Sequence, residues 1–532
     1  MTPEMTSPQR EWRSHLLALI LLALVLAISV IVRLRLLDAP LERDEGEHAY
    51  MAQTMLQGHA PWRLAYGLKL PGTDAMYALF MAIFGQTATA IRLGLLLINT
   101  AAILLIALLG KRLFGLTGGA VAGAAYGLLS SSQDVLGSIA HSTHFVVFFA
   151  VIASLLLMKP DLKDRQLFLA GLIYGVAFLM KQPGICFAAF GAIYVVWCWR
   201  RDHLPFARGL KRFALFCLGV VLPYVLLCLA LWRAGVFRRF WFWTVTLAGA
   251  YAGQFTLHQR FEYLKLGISS VIGPNLFIWI LAGLGLILAC WNPVTRRGGL
   301  WTAALLPFAF VAVALGGVFN PHYFILLLPV LALACGAWAE SASPNGQVTG
   351  FLVLLFGLAC LYSVVVQRDY LFAMTPYEFA RSSFGQNPFP EAVQIADYIR
   401  ANSDPHARIA VLGSEAEIYF YARRQAATGY MFTYGLMETH QYAEPSQGEM
   451  IGEILASRPE YIVLVKVQTS WLVKRDSSQA ILYWLTDYVR DQYEPAGAVE
   501  LVEGEPSIYI WGPEAASYRP RTNNYLLIYR RK

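Results

Sequence analysis

Long apolar runs separated by short polar loops fill this chain up to about residue 366, and the pattern then changes character. Apolar runs of about 18 residues or more mark helices able to cross a bilayer. About eleven such runs occur, near 15–37, 89–110, 116–136, 142–158, 166–180, 184–199, 212–232, 267–291, 300–318, 323–340 and 347–366. The first has a basic lead, Arg10 and Arg13, and no small-residue cleavage site behind it. It therefore reads as an anchor and not as a removed signal peptide. Residues 38–88 are too polar for a span and too long for a tight turn. There, Glu47 to Gln57 and Pro71 to Phe84 have the spacing of amphipathic helices lying on a membrane surface.

Residues 367–532 carry the Pro, Asn, Asp and Gly punctuation of a folded polar domain. Glu391 to Asn402 repeats apolar positions at helical spacing. Arg408 to Leu412 reads as a strand, followed by a turn at Gly413 and a helix from Ser414. Tyr461 to Val467 is a second strand and Ser478 to Tyr493 a further helix. Strands alternating with helices predict a small α/β layer. No G-x-G-x-x-G follows a strand, so a dinucleotide fold is not indicated. The expected fold is a polytopic α-helical membrane protein, residues 1–366, with an extracytoplasmic α/β domain over 367–532.

Composition agrees with this division. Hydrophobic residues make up 57% of the chain and charged residues 14%, and the mean hydropathy is +0.50, which excludes an ordinary soluble protein. The net charge of +8 comes mostly from basic loops. Lys111-Arg112, Lys159 to Arg165, Arg200-Arg201 with Lys211-Arg212, and Arg296-Arg297 fall on alternate loops together with Arg10 and Arg13. Basic short loops face the cytoplasm. That places the N-terminus inside, and residues 38–88, 233–265 and everything after about 367 on the outer face. No basic face with interleaved aromatics suggests nucleic acid. All 7 cysteines lie in the apolar runs, so neither a disulfide framework nor a cysteine metal site is expected. Gly119, Gly123 and Gly127, and again Gly171 and Gly175, have the small-xxx-small spacing of closely packed membrane helices.

Against this background the outer stretch at 42–47 stands out, because Glu42, Asp44, Glu45 and Glu47 put four carboxylates within six positions. Asp44 and Glu45 fall near a helix start, where the dipole favours ionised acids. An ionised carboxylate within about 3 Å of a hydroxyl can act as its general base; the alternative is a solvated acidic cap. Lys69, at bilayer depth and with no acid beside it in sequence, fits an anion such as a lipid phosphate, or a lysine that simply snorkels. The outer loop 233–265 holds Arg233, Arg238, Arg239, Arg260 and Lys265 among Trp241, Trp243, Tyr251, Phe255 and His258. These cations lie on the side that the loop rule disfavours, and guanidinium forks match phosphate oxygens. An aromatic belt with snorkelling arginines gives the same composition. His141 and His144 share a helix face. With Asp44 or Glu47 they could ligate a divalent metal, hydrogen-bond substrate, or only pack. His322, in Asn320-Pro321-His322-Tyr323-Phe324, stands equally open, and Lys181 at a membrane edge could meet phosphate or a lipid headgroup.

Several short motifs recur in a familiar order. They are the acidic cluster after the first span, Lys69-Leu70-Pro71-Gly72, Leu113-Phe114-Gly115, Phe178 to Pro183 ending in Lys181-Gln182-Pro183, and His322-Tyr323-Phe324 leading to Leu328-Pro329. Over most of residues 30–340 the chain resembles the GT-C membrane glycosyltransferases. The nearest branches are the bacterial relatives of protein O-mannosyltransferases, lipid A aminoarabinose transferases and core galacturonosyltransferases. The resemblance implies an inverting transfer of a sugar from a polyprenyl-phosphate carrier to a glycan, lipid or protein acceptor, at the outer side of a bacterial inner membrane. It implies Asp44 as the base, with Glu45 assisting or supporting the loop, and Lys69 as the group that meets the donor phosphate. Where many members have a second acid this chain has His141 and His144, and it has Leu68 where some have an acid before the lysine. A divalent metal is a possible cofactor on the same grounds. A transporter or flippase for lipid-linked sugars is the competing class; it would show paired, interrupted helices and charges at mid-membrane, whereas the charges here cluster on one outer side.

Overall fold

The computed structural model of the chain describes residues 7–159, 161–342 and 346–532, apart from the side chains of residues 7–11, 346 and 347. Arg10, used above for orientation, has its side chain outside the described residues. Among them, six helices are long and apolar enough to cross a membrane: Trp12–Arg35, Ala88–Leu129, Phe206–Arg233, Leu257–Trp291, Arg296–Ala314 and Val348–Val366. Shorter helices at Ser142–Leu157, Asp164–Met180, Gly184–Arg201 and Leu328–Ser341 occupy the other apolar runs. The chain is a multi-pass membrane protein.

The runs 89–110 and 116–136 form two helices within Ala88–Leu129, separated by a kink at Gly115 (φ 84°), where an L side chain would be strained. Two boundaries differ from the sequence pattern. The second of these helices stops at Leu129, where Ser130, Ser131 and Ser132 turn their side chains to other partners. The run 323–340 starts as a 3-10 turn, Pro321–Leu326, before the helix Leu328–Ser341. Small residues do bring helices together: a Cβ on Gly171 would lie 2.2 Å from the Phe216 carbonyl oxygen, and one on Gly119 would lie 2.6 Å from that of Ala107.

Arg33, near the end of the first span, is buried, and a membrane-embedded arginine must be compensated. Its guanidinium donates to Ser29 Oγ (2.6 Å), Ser131 Oγ (2.8 Å), and the carbonyls of Ser130 (2.9 Å) and Gly137 (3.0 Å). This one side chain thus collects the carbonyls freed where the second element ends.

The chain folds as two compact units. One comprises the residues up to Leu37 with Arg92–Cys228 and Phe255–Met374. The other comprises Asp38–Ile91, Leu229–Gln254 and Thr375–Lys532. The second unit thus joins two segments from before residue 366 to the C-terminal stretch. In the second unit lies a six-stranded sheet of β1 (Arg408–Leu412), β2 (Gln425–Ala426), β3 (Tyr461–Lys466), β4 (Tyr493–Glu500), β5 (Ile508–Trp511) and β6 (Tyr525–Arg531), in the order β2-β1-β3-β6-β4-β5. β2, β1 and β3 are parallel, and the rest pair antiparallel. β1 and β3 match the predicted strands, and the helix Ala443–Ser457 lies between them in sequence, as a parallel crossover needs. Strands β4 to β6 escape the periodicity, since β4 contains Pro495 and a bulge between Pro495 and Gly497.

The core of this α/β layer explains why the two outer segments join it. Tyr66 packs in the same apolar cluster as Leu412, Tyr430, Ile462 and Met450, and Trp243 packs against that cluster. Tyr66 also donates its backbone N–H to the Gly429 carbonyl (2.7 Å) and forms a single bridge with Tyr430.

Candidate active site

The helix carrying the acidic cluster is Arg43–Leu56, so it begins four residues before the position expected from periodicity. A capping box of two glutamates sets that start. The Glu42 carboxylate accepts from the Glu45 backbone N–H (2.9 Å), and the Glu45 carboxylate accepts from that of Glu42 (3.4 Å). Glutamate is an unusual N-cap residue, which hid the signal. Glu45 is fully buried; the structure gives it this capping contact.

Asp44 and Glu47 lie three apart and share a helix face. Both meet Lys69, which is 2.9 Å from Asp44 and 2.8 Å from Glu47. Lys69, without an acid beside it in sequence, thus has two in space. Its loop is held by the Tyr66 bridge and by the Trp62 indole N–H donating to the Gly67 carbonyl (3.1 Å). Gly67 lets the Glu47 carboxylate approach closely, since a Cβ there would sit 2.6 Å from one of its oxygens and make that side chain shift. Asp44 keeps 25% of its side chain exposed whereas Glu47 keeps 2%, so Asp44 is the carboxylate a substrate can reach. The Lys69 ammonium is 5.8 Å from the centre of the Phe432 ring, and on the acidic helix His48 pairs with Asp74 at 2.5 Å.

Electrostatics follow from this packing. Burial works against the Lys69 ammonium, but Asp44 and then Glu47 outweigh it and hold the pKa well above the ordinary lysine value. Burial raises Glu47, with Lys69 pulling in the opposite direction. Burial, then the charges of Asp44 and Glu45, pushes Glu42 from 4.5 up to about 8. A carboxyl whose folded pKa is raised stabilises most below its unfolded value, and loses that contribution as pH rises through the folded one. The contribution of Glu42 is therefore complete below 4.5 and gone above about 8. Glu42→Gln keeps the accepting oxygen and cannot ionise. Thermal unfolding at about pH 5 and about pH 8.5 should show a smaller loss of Tm with pH in the variant than in the wild type. An identical loss would contradict this account.

The arginines of the outer loop are spread over both units. In the second, Arg239 pairs with Glu449 (3.2 Å) and lies over the Tyr66 ring (4.3 Å). Arg238 and Arg239 line a shallow cleft with Trp62 and Glu449. Arg239 thus has a partly exposed acidic partner within the protein. In the first unit, Arg260 donates to the Phe255 carbonyl (3.2 Å) and Lys265 pairs with Glu262 (2.8 Å). Also in that unit, Lys181 caps the helix Asp164–Met180 and its ammonium lies 4.0 Å from the centre of the Tyr323 ring, a cation–π contact. His141 and His322 stack with ring centres 3.8 Å apart and planes at 13°. His144 is buried, and neither ring nitrogen has a hydrogen-bond partner among the described residues.

A family model described as dolichyl-phosphate-mannose-protein mannosyltransferase matches residues 69–227. Among solved structures, ArnT from Cupriavidus metallidurans bound to undecaprenyl phosphate superposes with a TM-score of 0.60 at 15% identity, covering 96% of this chain and 97% of that one. Its fold is that of the GT-C glycosyltransferases. The apo form of the same ArnT gives 0.56 over the same shares at 15% identity. The GT-C likeness extends to the oligosaccharyltransferase AglB from Archaeoglobus fulgidus, in complex with an inhibitory peptide and a dolichol-phosphate: TM-score 0.51, 13% identity, 93% of this chain and 74% of that one. No curated protein sequence matches the chain. The GT-C frame over nearly the whole length supports the fold expected from the short motifs.

Sequence reasoning did not single out Tyr66, Gly67, Phe432 or Tyr434 around Lys69. The run Tyr430-Met431-Phe432-Thr433-Tyr434 places aromatics at every second position, and this was the available signal.

Proposed function

We propose that this protein is an inverting glycosyltransferase that moves a sugar from a polyprenyl-phosphate carrier to an acceptor hydroxyl. The observation that carries the reading is the lysine shared by two carboxylates, Lys69 with Asp44 and Glu47, of which Asp44 is the more exposed. A donor phosphate competes with Asp44 for the Lys69 ammonium. With Lys69 held by the phosphate, Asp44 can take the proton of the acceptor hydroxyl. The acceptor oxygen then bonds to the anomeric carbon as the bond from that carbon to the phosphate oxygen breaks. The phosphate leaves with the electron pair, and Lys69 balances the charge that builds on it. Glu47 stays behind Lys69 and fixes its position.

The carrier class is supported by the undecaprenyl phosphate bound to ArnT and the dolichol-phosphate bound to AglB. The basic loops favour a reading with the N-terminus cytoplasmic and the α/β domain periplasmic or extracellular, in a bacterial inner membrane. The acceptor is then a lipid A or core sugar, a surface glycan or a protein on that side. His141 and His322, which offer ligand atoms within 4.8 Å of one another, are the residues that would hold a divalent metal. When bound, such an ion would help neutralise a leaving phosphate.

Membrane vesicles containing the protein and a radiolabelled polyprenyl-phosphate sugar should release the carrier phosphate and gain label in an acceptor. Movement of intact labelled carrier between leaflets with no transfer would replace this reading with a flippase.

A further inference from the structure

Within the first unit, four helices meet around a cavity of about 1260 Å³ that no step of the proposed reaction uses. Ser142–Leu157 and Gly184–Arg201 end at it, and Asp164–Met180 and Phe206–Arg233 begin at it. The helix Asp164–Met180 rises about 25 Å, so the cavity and Lys181 stand at its opposite ends. Six cations line the cavity, Lys159, Lys163, Arg201, Arg208, Lys211 and Arg212, against three carboxylates. Two of those acids are already engaged, Asp164 with Lys211 (2.9 Å) and Asp202 with Arg201 (2.7 Å). Lys159, Lys163 and Arg208 are exposed and form no ion pair among the described residues. Apolar surface runs up to this charged rim. Ile193, Trp197 and Arg201 follow one another at four-residue intervals and share a helix face. Ile193 is 57% and Trp197 51% exposed, and the Arg201 guanidinium lies 4.8 Å from the centre of the Trp197 ring. In a bilayer such a face meets acyl chains, and the arginine one turn further reaches the headgroups.

We propose that this cavity binds the phosphate headgroup of an anionic glycerophospholipid of the cytoplasmic leaflet, with an acyl chain lying along Ile193 and Trp197. The side follows from the loop rule, because the cations belong to three of the basic loops that it assigns to the cytoplasm. Basic pockets between membrane helices on that side recognise anionic headgroups. Charge selects the lipid. A zwitterionic headgroup brings a further cation among the six, whereas an anionic one brings net negative charge to Lys163 and Arg208, which no acid of the protein neutralises. The apolar face selects a lipid over free phosphate. A chain lying on that face presents its phosphate to the cavity at an effective concentration that a soluble anion lacks. The bound phosphate would join the starts of two helices, at Lys163 and Arg208, and offset the repulsion between them. None of this depends on the sugar-transfer chemistry.

The test uses the purified full-length protein in neutral detergent, titrated with phosphatidylglycerol or with phosphatidylcholine. Bound lipid is counted by native mass spectrometry, and Tm is followed beside it. Phosphatidylglycerol should bind saturably and raise Tm, as any ligand of the folded state does. Phosphatidylcholine should bind about tenfold more weakly or worse. The double variant Lys163→Gln, Arg208→Gln should weaken phosphatidylglycerol about tenfold or more. Both side chains are exposed and outside any ion pair, so its lipid-free Tm should stay at the wild-type value. Arg296→Gln with Arg297→Gln removes the same charge from another basic loop of that side and should leave the affinity unchanged. Equal binding of the two lipids overturns the proposal, as does an unchanged affinity in the Lys163, Arg208 variant. An equal loss in the Arg296, Arg297 variant overturns it too, by reducing the effect to general surface charge. Glycerophosphate that displaces the lipid at matching concentration would make this a site for free phosphate and overturn the lipid assignment. Because no turnover is measured, the outcome stands whatever the transfer assay shows.

Discussion

Asp44→Asn is expected to lower kcat for sugar transfer about 10²–10⁴-fold, the range that a general base supplies, while carrier binding persists or tightens. Asparagine has the shape of aspartate and cannot accept the proton. The same change removes one of the two carboxylates that neutralise Lys69. The ammonium is then easier for a phosphate to claim, so the KM for the donor should stay level or fall. That pairing of a lost kcat with an undiminished donor affinity distinguishes a base from a residue that only holds the loop, whose loss would raise KM or reduce the amount of folded protein. Steady-state transfer with varied donor, beside a binding measurement with polyprenyl phosphate, reads both. Normal turnover in Asp44→Asn would assign proton removal elsewhere. Glu47 would be a poor substitute, being almost fully buried.

Lys69→Ala should have the second large effect, and two separable ones. Removing the cation that meets the leaving phosphate should cost about 10²–10³-fold in kcat, as loss of one preorganised transition-state donor does. It also leaves Glu47 buried without its partner, and breaking a buried pair from one side destabilises by about 3–5 kcal/mol. Lys69 is itself partly exposed, with 18% of its side chain accessible, so the lower end of that range is expected. A second change tells the effects apart. Lys69→Met with Glu47→Gln removes the stranded charge and should recover much of the lost Tm without recovering transfer. Recovery of transfer in the double variant would show that Lys69 acts only by keeping Glu47 in place.

Both predictions concern residues whose types were visible in the sequence and whose relation was not. Asp44 and Lys69 were picked out as an acid near a helix start and a lysine at bilayer depth. Lys69 has no acid beside it in sequence, because the acids it meets, Asp44 and Glu47, stand 25 and 22 positions away and nothing local records the bend between them. Arg239 shows the same limit at greater range: its partner Glu449 is 210 positions along the chain, so its charge looked uncompensated. The glutamate capping box was local, yet it was missed because glutamate rarely caps.

The apolar runs by themselves determined the helices. In lipid each segment must satisfy its own backbone, so the element type does not depend on its neighbours. β1 and β3 were legible for a related reason, as continuous apolar runs buried in a parallel pairing. What tertiary packing alone could decide was which segments share a core. Tyr66 and Trp243 belong to loops that read as membrane-surface connections, and they bury their rings against the α/β layer because that layer offers apolar area that the loops lack. Their burial draws residues 38–91 and 229–254 into the unit of the C-terminal domain. The aromatic surroundings of Lys69 exist only through that union, since Tyr66, Trp243 and Phe432 come from three stretches of chain that carry no common pattern.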